Sequence, residues 1–416
     1  MKKHGLLLLL TVYVLAACNS VGKESKTLPT LLFNLDYDDM LSIKQELKTD
    51  TFQLRLSYLQ LIVKADSILL QAPQQVTDGD IPPTGDVHDF FAIGKYAFPN
   101  SDTADGLPYI RKDGITNPDA RGDRYDLARW EQTTENINTL ALAWFYSDNE
   151  QYASKASELL KVWFINKETR MNPNFECAAA LPGVYNGMPI GIIFGARLVN
   201  FLDHVQLLSL SKSWTDTNNE ALKKWFAEYT DWLLHSDFGI KESQAGDNHG
   251  TWYLAQVTAA AIYTDNIALA KQMIDKGKEQ MAKQIAINRD GYPDGSLPRE
   301  INRNQSFLYS MFGLEGFCAL AGCGNAIDYD LWHYETEEGQ SLKMAFKFLV
   351  PYLLEQVPWQ YESLKSPQEQ MYRPVNIVRQ AAKMFQTDDL IELQEHLQQY
   401  VADRPVLRLE SKDYSQ

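Results

Sequence analysis

The segment DTFQLRLSYLQLIVKADSILLQA, residues 50–72, shows the pattern that decides the fold. Its apolar and aromatic side chains recur at intervals of three and four residues, which places them on one face of an α-helix. These positions are Leu54, Tyr58, Leu61, Ile62, Ala65, Ile68 and Leu69. The segment therefore predicts an amphipathic helix that packs against a core through that face.

The same periodicity repeats along the chain, and Gly, Pro, Asn or Asp residues often separate one helical segment from the next. The predicted helices cover residues 125–147, 150–166, 186–210, 217–236, 250–264, 266–286, 304–321, 339–356, 368–386 and 388–401. Strand-like alternation is scarce. Successive antiparallel helix pairs can close into an α/α toroid around a cleft, or stack as an open helical solenoid. We predict an all-α protein with a single, incomplete α/α toroid.

Three stretches have few helical signals, namely residues 73–122, 168–189 and 287–300. All three mix aromatic side chains with polar ones, as sugar-binding surfaces do. A connection as long as 73–122 is usually functional in a compact domain. We expect a functional role for the first and third stretches, whereas 168–189 is equally typical of an ordered surface connection.

The N-terminal residues have the features of a bacterial export signal. Lys2 and Lys3 precede an apolar region that is too short to span a bilayer, and Leu15-Ala16-Ala17-Cys18 resembles a lipoprotein cleavage site. We predict a signal peptide over residues 1–18, lipidation of Cys18 and attachment to the cell envelope as a periplasmic or outer-membrane protein. An ordinary secretory signal is the alternative. Residues 19–48 are expected to be a tether and lead-in, and 49–416 the toroid domain.

Charge and cysteine content limit the partners of the chain. The 416 residues have a formal net charge of -15, which argues against a nucleic-acid partner. An acidic ligand therefore needs a local cluster of cations, since salt screens charges beyond about 8 Å. Of the three cysteines after Cys18, which cannot all pair, Cys318 and Cys323 are predicted to be buried thiols, with a Cys318–Cys323 bridge as the alternative; the third is Cys177. No metal-binding motif is present, and no cofactor is predicted.

Two short motifs supply groups that are suited to acid–base chemistry on an anionic sugar. One is Gly246-Asp247-Asn248-His249-Gly250-Thr251-Trp252-Tyr253. The other is Pro298-Arg299-Glu300-Ile301-Asn302-Arg303, followed by Ser306 and Tyr309. Together they offer an amide, an imidazole, a guanidinium and a phenol.

These groups are what β-elimination from a 4-linked uronic acid chain requires. The sugar C5 proton is weakly acidic because the adjacent carboxylate is already negative, so hydrogen-bond donors must first stabilise the enolate-like charge. A base then removes the proton and an acid supports the leaving O4. Asp247 or Asn248 can cap a helix that starts near Gly250, which places His249 at its positive end. Trp252 and Tyr253 can stack on sugar rings.

Tyr309 is the candidate for proton transfer. A phenol has a pKa near 10, so it needs a nearby cation to act as a base. Arg299 and Arg303 are the candidate cations, and Glu300 can pair with either of them. The same residues also suit a purely structural role, as a capping histidine, a packed tyrosine and surface ion pairs.

At these residues the chain resembles the alginate lyase superfamily of α/α-toroid polysaccharide lyases, and polysaccharide lyase families 5 and 38 in particular. Asn248-His249-Gly250-Thr251-Trp252 is similar to an Asn-His-aromatic motif of the family. The run from Arg299 through Arg303 to Tyr309 resembles its Arg-then-Tyr motif. The segments 95–99 and 105–109 look like its lid loop. The resemblance covers residues 85–325.

The resemblance implies a role for each of these positions. Asn248 and His249 would neutralise the uronate carboxylate, Tyr309 would serve as base and acid, and Arg303 would support the phenolate. With a substrate whose C5–H and O4 lie on opposite faces, His249 would take the proton instead. The expected substrate-binding side chains are Lys95, Tyr96, Tyr109, Arg111, Asn136, Asn186, Trp252, Tyr253 and Arg299. The Arg303–Tyr309 interval is one residue shorter than in family 5, so Arg299 is the alternative to Arg303.

We therefore expect a polysaccharide lyase acting on an acidic polysaccharide, most simply mannuronate-rich alginate, with glucuronan as the alternative substrate. Two other classes fit parts of the sequence. A non-catalytic glycan-binding lipoprotein would not need His249 or Tyr309. A toroidal glycoside hydrolase would use two carboxylates, for which Asp247, Asp290, Asp294 and Glu300 are available.

Overall fold

The computed structural model describes residues 31–49, 52–287, 291–401 and 408–410. The predicted signal peptide, Cys18 and Asp290 lie outside the described residues. The α-helices of the described chain are α1 (Tyr37–Glu46), α2 (Phe52–Leu69), α3 (Leu127–Ser147), α4 (Glu150–Leu160), α5 (Leu198–Leu208), α6 (Asp216–His235), α7 (Asp237–Glu242), α8 (Asn248–Tyr263), α9 (Ile267–Gln284), α10 (Pro298–Ile301), α11 (Ser306–Ala326), α12 (Leu342–Leu353), α13 (Val375–Phe385) and α14 (Asp388–Leu397).

The helices form two layers. Helices α3, α5, α8, α11 and α13 contact one another in that order and make the inner layer. On the outside, α2 and α4 pack on α3, α6 and α9 pack on α8, and α12 and α14 pack on α13. One large apolar cluster joins the layers. This arrangement is an incomplete α/α toroid, which confirms the predicted fold class.

The inner helices are apolar on nearly every side because they contact neighbours on nearly every side. In α8, each residue except His249 is buried. The segments Pro189–Leu208 and Ser306–Ala326 have the length and mean hydropathy of membrane spans, but 78% of each tested window is buried in the protein. Their apolar character is explained by their place in the core.

The structure differs from the helical pattern in several places. Tyr37–Glu46 forms a helix that the periodicity did not predict, and it buries Met40 and Ile43. The helix expected over 186–210 is shorter, because Pro189–Gly195 is a 3₁₀ turn that precedes α5. A side chain at Gly191 would collide with the backbone of Ala178, so this turn depends on a close approach to the neighbouring strand.

Short strands fix the long connection between α2 and α3, residues 73–122, which we call the lid segment. Strand β1 (Phe91–Ile93) pairs in parallel with β4 (Cys177–Ala180). Strand β2 (Ala97–Phe98) pairs antiparallel with β3 (Ile110–Arg111). The lid segment is therefore tied to the body of the protein. Elsewhere, the described cysteines Cys177, Cys318 and Cys323 are free and buried, as predicted for Cys318 and Cys323.

Candidate active site

A cleft of about 660 Å³ lies between the lid segment and the inner helices. Its walls include Asn248 and His249 from the start of α8, Tyr309 from the start of α11, and Tyr96 from the lid segment. Arg303, from the connection between α10 and α11, also lines it. The phenol and the imidazole predicted from distant parts of the sequence thus face one cavity.

The start of α8 holds His249 in a defined orientation. Asp247 caps the helix and accepts a hydrogen bond of 3.1 Å from the backbone N–H of His249. The His249 Nδ1 lies 2.6 Å from Oε1 of buried Glu242. Burial alone would lower the pKa of His249. The carboxylates of Glu242, first of all, and of Asp247 and Glu300 together outweigh burial and raise that pKa. Nε2 is then the ring nitrogen left for a ligand, and the charged imidazolium is favoured.

Asn248 is fixed by Glu300. The Glu300 carboxylate accepts hydrogen bonds from the Asn248 backbone N–H at 2.8 Å and from its side-chain Nδ2 at 2.9 and 3.0 Å. Because the two carboxylate oxygens lie side by side, one bifurcated N–H of Nδ2 can serve both, and the second N–H can then bond to another acceptor. Oδ1 of the same amide is buried without a partner among the described residues. Glu300, which could have paired with Arg299 or Arg303, instead accepts hydrogen bonds from Asn248, and the charge of Arg303 acts on it only at longer range.

Tyr309 lies in the first turn of α11 and has two polar neighbours. Its hydroxyl is 2.6 Å from the hydroxyl of Tyr96. The guanidinium carbon of Arg303 lies 4.0 Å from the centre of the Tyr309 ring. Burial and the Tyr96 hydroxyl raise the pKa of Tyr309, and Arg303 opposes them only in part. Tyr309 is therefore a neutral phenol in the free protein at neutral pH.

Arg303 is held by the lid segment. Its Nη2 donates to Oδ1 of Asp113 at 2.9 Å, and its Nε lies 3.3 Å from Oδ2, which is a two-pronged ion pair. Helix α10 ends at Ile301, so Arg299 and Arg303 do not lie on one helix. Arg303 is the arginine beside Tyr309, while Arg299 is exposed and does not line the cleft.

The other predicted binding residues divide into two groups. Lys95, Arg111 and Trp252 line the cleft. The structure does not bring the remaining ones to it. The buried Tyr253 hydroxyl donates a hydrogen bond to the backbone oxygen of Leu233, and the Asn136 side-chain amide donates one to Gln71. Asn186 is exposed, and Tyr109 packs on the small apolar cluster beneath β1.

Several cleft residues were not predicted from the sequence. They are Arg121, Glu131, Arg197, Asn200, Glu315 and Arg373. Glu131 and Arg197 are separated by 66 residues, so no local spacing could have linked them. Asp113 and Glu242, which hold Arg303 and His249, were missed for the same reason. Within the part of the chain that the structure describes, no group of His, Cys, Asp and Glu side chains is arranged to hold a metal ion.

Comparison with known proteins agrees with this geometry. The family model described as alginate lyase matches residues 76–359. The chain belongs to the alginate lyase family. This family assignment makes the protein a polysaccharide lyase, as the resemblance predicted. No curated protein matches the chain.

Solved structures of alginate lyases share the toroid. An alginate lyase from Bacteroides ovatus is 28% identical, with a TM-score of 0.84 over 91% of this chain and 98% of its own. A variant of alginate lyase A1-III bound to a tetrasaccharide is 13% identical, with a TM-score of 0.57 over 88% of this chain and 91% of its own. The second likeness concerns the fold alone. The A1-III enzyme comes from Sphingomonas species A1.

Proposed function

We propose that this member of the alginate lyase family cleaves 4-linked uronans by β-elimination, with mannuronate-rich alginate as its substrate. One observation carries the proposal. The Tyr309 hydroxyl, paired with Tyr96 and flanked by Arg303, shares a cleft with the Asn248 amide and the His249 imidazole. Glucuronan is the alternative substrate, because it presents the same carboxylate with the same configuration at C4 and C5, and it differs from polymannuronate only at C2.

In the proposed reaction, Asn248 and the His249 imidazolium bind the carboxylate of the uronate that is cleaved. Their N–H groups stabilise the negative charge that spreads onto this carboxylate when C5 loses its proton. The Tyr309 phenolate takes the C5 proton, the C4=C5 double bond forms and the C4–O4 bond breaks. The leaving O4 receives its proton from the Tyr309 hydroxyl, which regenerates the phenolate.

Tyr309 must lose its proton before it can act as a base. Two neighbours favour the charged form once it exists. Tyr96 can donate its hydroxyl hydrogen to the phenolate, and the Arg303 guanidinium lies over the ring. A single phenol suffices for mannuronate because C5–H and O4 lie on the same face of the sugar. For guluronate, which has the opposite configuration at C5, neutral His249 would take the proton and Tyr309 would donate one.

The proposal is tested by incubating the purified protein separately with polymannuronate, polyguluronate and glucuronan. Elimination leaves a C4=C5 double bond that absorbs in the ultraviolet, whereas hydrolysis leaves saturated ends. We expect absorbance to grow fastest with polymannuronate. Growth with glucuronan alone would support the alternative substrate, and no growth with any of the three polymers would refute the proposal.

A second test concerns Glu242 and the choice of base. The pKa of Tyr309 exceeds that of His249. Whether the Tyr309 phenolate or neutral His249 is the base, a plot of kcat/KM against pH is therefore bell-shaped, and its rise on the acid side is set by the pKa of His249. Glu242→Gln removes the carboxylate that does most to raise the His249 pKa, so burial then lowers it. We expect the acid limb to move to lower pH.

The plateau of this profile distinguishes the two bases. If the Tyr309 phenolate is the base, the active form needs charged His249, so the plateau falls about tenfold for each unit by which the pKa drops. If neutral His249 is the base, the plateau falls by less than tenfold for each unit, because the rate then depends only on how strong a base the imidazole is. Asp231→Asn is the matched control, since Asp231 pairs with exposed His235 at 3.0 Å. An acid limb that stays in place would contradict the role of His249.

The location of the enzyme is also a proposal. The sequence Leu15-Ala16-Ala17-Cys18 supports a lipid anchor on Cys18 that holds the domain in the periplasm or at the outer membrane. Labelling with a radioactive fatty acid would test it, since Cys18→Ala should abolish incorporation of the label.

A further inference from the structure

Three cations surround one carboxylate in the wall of the cleft. Arg121 donates to Glu131 through Nε at 2.8 Å and Nη2 at 3.1 Å. The Lys95 Nζ and the Arg197 Nη2 each lie 3.7 Å from Oε1 of Glu131. All four side chains line the same cleft as Tyr309. We call these four residues the Glu131 cluster.

The charges of the Glu131 cluster do not balance. Three cations face one carboxylate, which leaves two positive charges in excess. Another carboxylate, that of Glu135, is near Arg197 but is paired with Lys64 at 2.7 Å. Burial lowers the pKa of both Lys95 and Arg197, and Glu131 only partly offsets this. Excess positive charge in a partly buried site is unfavourable unless an anion joins it.

The position of the Glu131 cluster in the cleft indicates which anion binds to it. Lys95 directly precedes Tyr96, whose hydroxyl is 2.6 Å from that of Tyr309. The cluster therefore adjoins the phenol pair along the cleft. The site formed by Asn248 and His249 is separate from it and comes from a different helix. A polymer whose every unit carries a carboxylate would present a second anion next to the one at the reacting sugar.

We propose that Lys95, Arg121 and Arg197 form a second carboxylate subsite, which binds the uronate adjacent to the one that loses its proton. Glu131 acts as a positioning residue that holds the three cations together. The proposal rests on the proposed lyase function and deepens it. The enzyme would then require uronates at two consecutive positions, and a neutral sugar beside the cleaved uronate would bind poorly.

The test measures binding without turnover. In a Tyr309→Phe background, calorimetry gives the Kd for a saturated mannuronate oligomer and for the same oligomer with its carboxyl groups reduced to alcohols. Adding Arg197→Gln should raise the Kd for the acidic oligomer about 10- to 100-fold, as expected for a charge-assisted bond. It should hardly change the weak binding of the reduced oligomer, and it should make the affinity for the acidic one less dependent on salt.

Two further variants keep the test decisive. Arg121→Gln should act in the same direction, and its side chain is 42% exposed, so loss of folding is not expected. Arg124→Gln is the matched control, because Arg124 pairs with Asp80 at 2.8 Å and does not line the cleft. In the active enzyme, Arg197→Gln should raise KM more than it lowers kcat, because its guanidinium does not touch the reacting atoms.

The outcomes separate the two proposals. A wild-type protein that releases no unsaturated ends from any uronan would defeat the proposed function. An active wild-type protein whose Arg197→Gln and Arg121→Gln variants fold and bind the acidic oligomer as tightly as their parent would overturn the second subsite alone.

Discussion

Replacing Tyr309 with Phe is expected to lower kcat/KM for polymannuronate by about 10³-fold, the middle of the range for loss of a general base or acid. The change removes one oxygen, which is both the base and the proton donor to O4 in the proposed reaction. The ring that Arg303 covers remains in place. The measurement is the initial rate of ultraviolet absorbance growth, compared with the wild type at the same enzyme concentration.

Stability and substrate binding should change much less than the rate. The lost hydroxyl pairs with Tyr96 in a part-buried site, so the cost in unfolding free energy is about 1 kcal/mol. Tyr58→Phe is the matched control, because Tyr58 lies on α2, away from the cleft. A Tyr309→Phe enzyme with near wild-type kcat/KM would show that another group moves the protons.

Replacing His249 with Ala is expected to lower kcat/KM by about 10²- to 10³-fold, the cost of removing one donor from an anion-stabilising site. The imidazolium is favoured by Glu242, and its loss leaves that carboxylate buried without its partner. The unpaired carboxylate would then repel the substrate carboxylate as well. Steady-state kinetics on polymannuronate over a range of concentrations would measure both kcat and KM.

The control for this variant is His235→Ala. His235 is an exposed histidine at the end of α6 that also pairs with a carboxylate, Asp231. It should keep wild-type kinetics. If His249→Ala retained wild-type kcat and KM, the imidazole would be only a structural partner of Glu242, without a part in the reaction.

The sequence predicted those parts of the fold and site that depend on local pattern. Helical periodicity located most of the inner and outer helices, and the capping preference of Asp247 located the start of α8. Arg303 was a candidate cation for Tyr309, six residues away, and the structure does place it beside that ring. Patterns of this kind are set within a few residues, so one chain suffices to find them.

The sequence did not predict which side chains from distant parts of the chain the fold would pair. Glu300 binds Asn248 across 52 positions, and Asp113 binds Arg303 across 190. Tyr253 was expected in the cleft with Trp252. Side chains of consecutive residues in a helix point about 100° apart, however, so Trp252 and Tyr253 do not both face the cleft. These errors arise because side-chain pairing between elements follows from packing, which a single sequence does not display.

The lid segment contributes two contacts to the reactive side chains, Tyr96 to Tyr309 and Asp113 to Arg303. The helical scaffold alone therefore carries an incomplete set of catalytic groups. Transplanting α8 and the segment from α10 through α11 into another toroid would transfer the imidazole, the arginine and the phenol, but the phenol would arrive without its hydroxyl partner and the arginine without an anchor. Lid and helices must be inherited together, so homologues that exchange one without the other should lose activity even when every motif on the helices is intact.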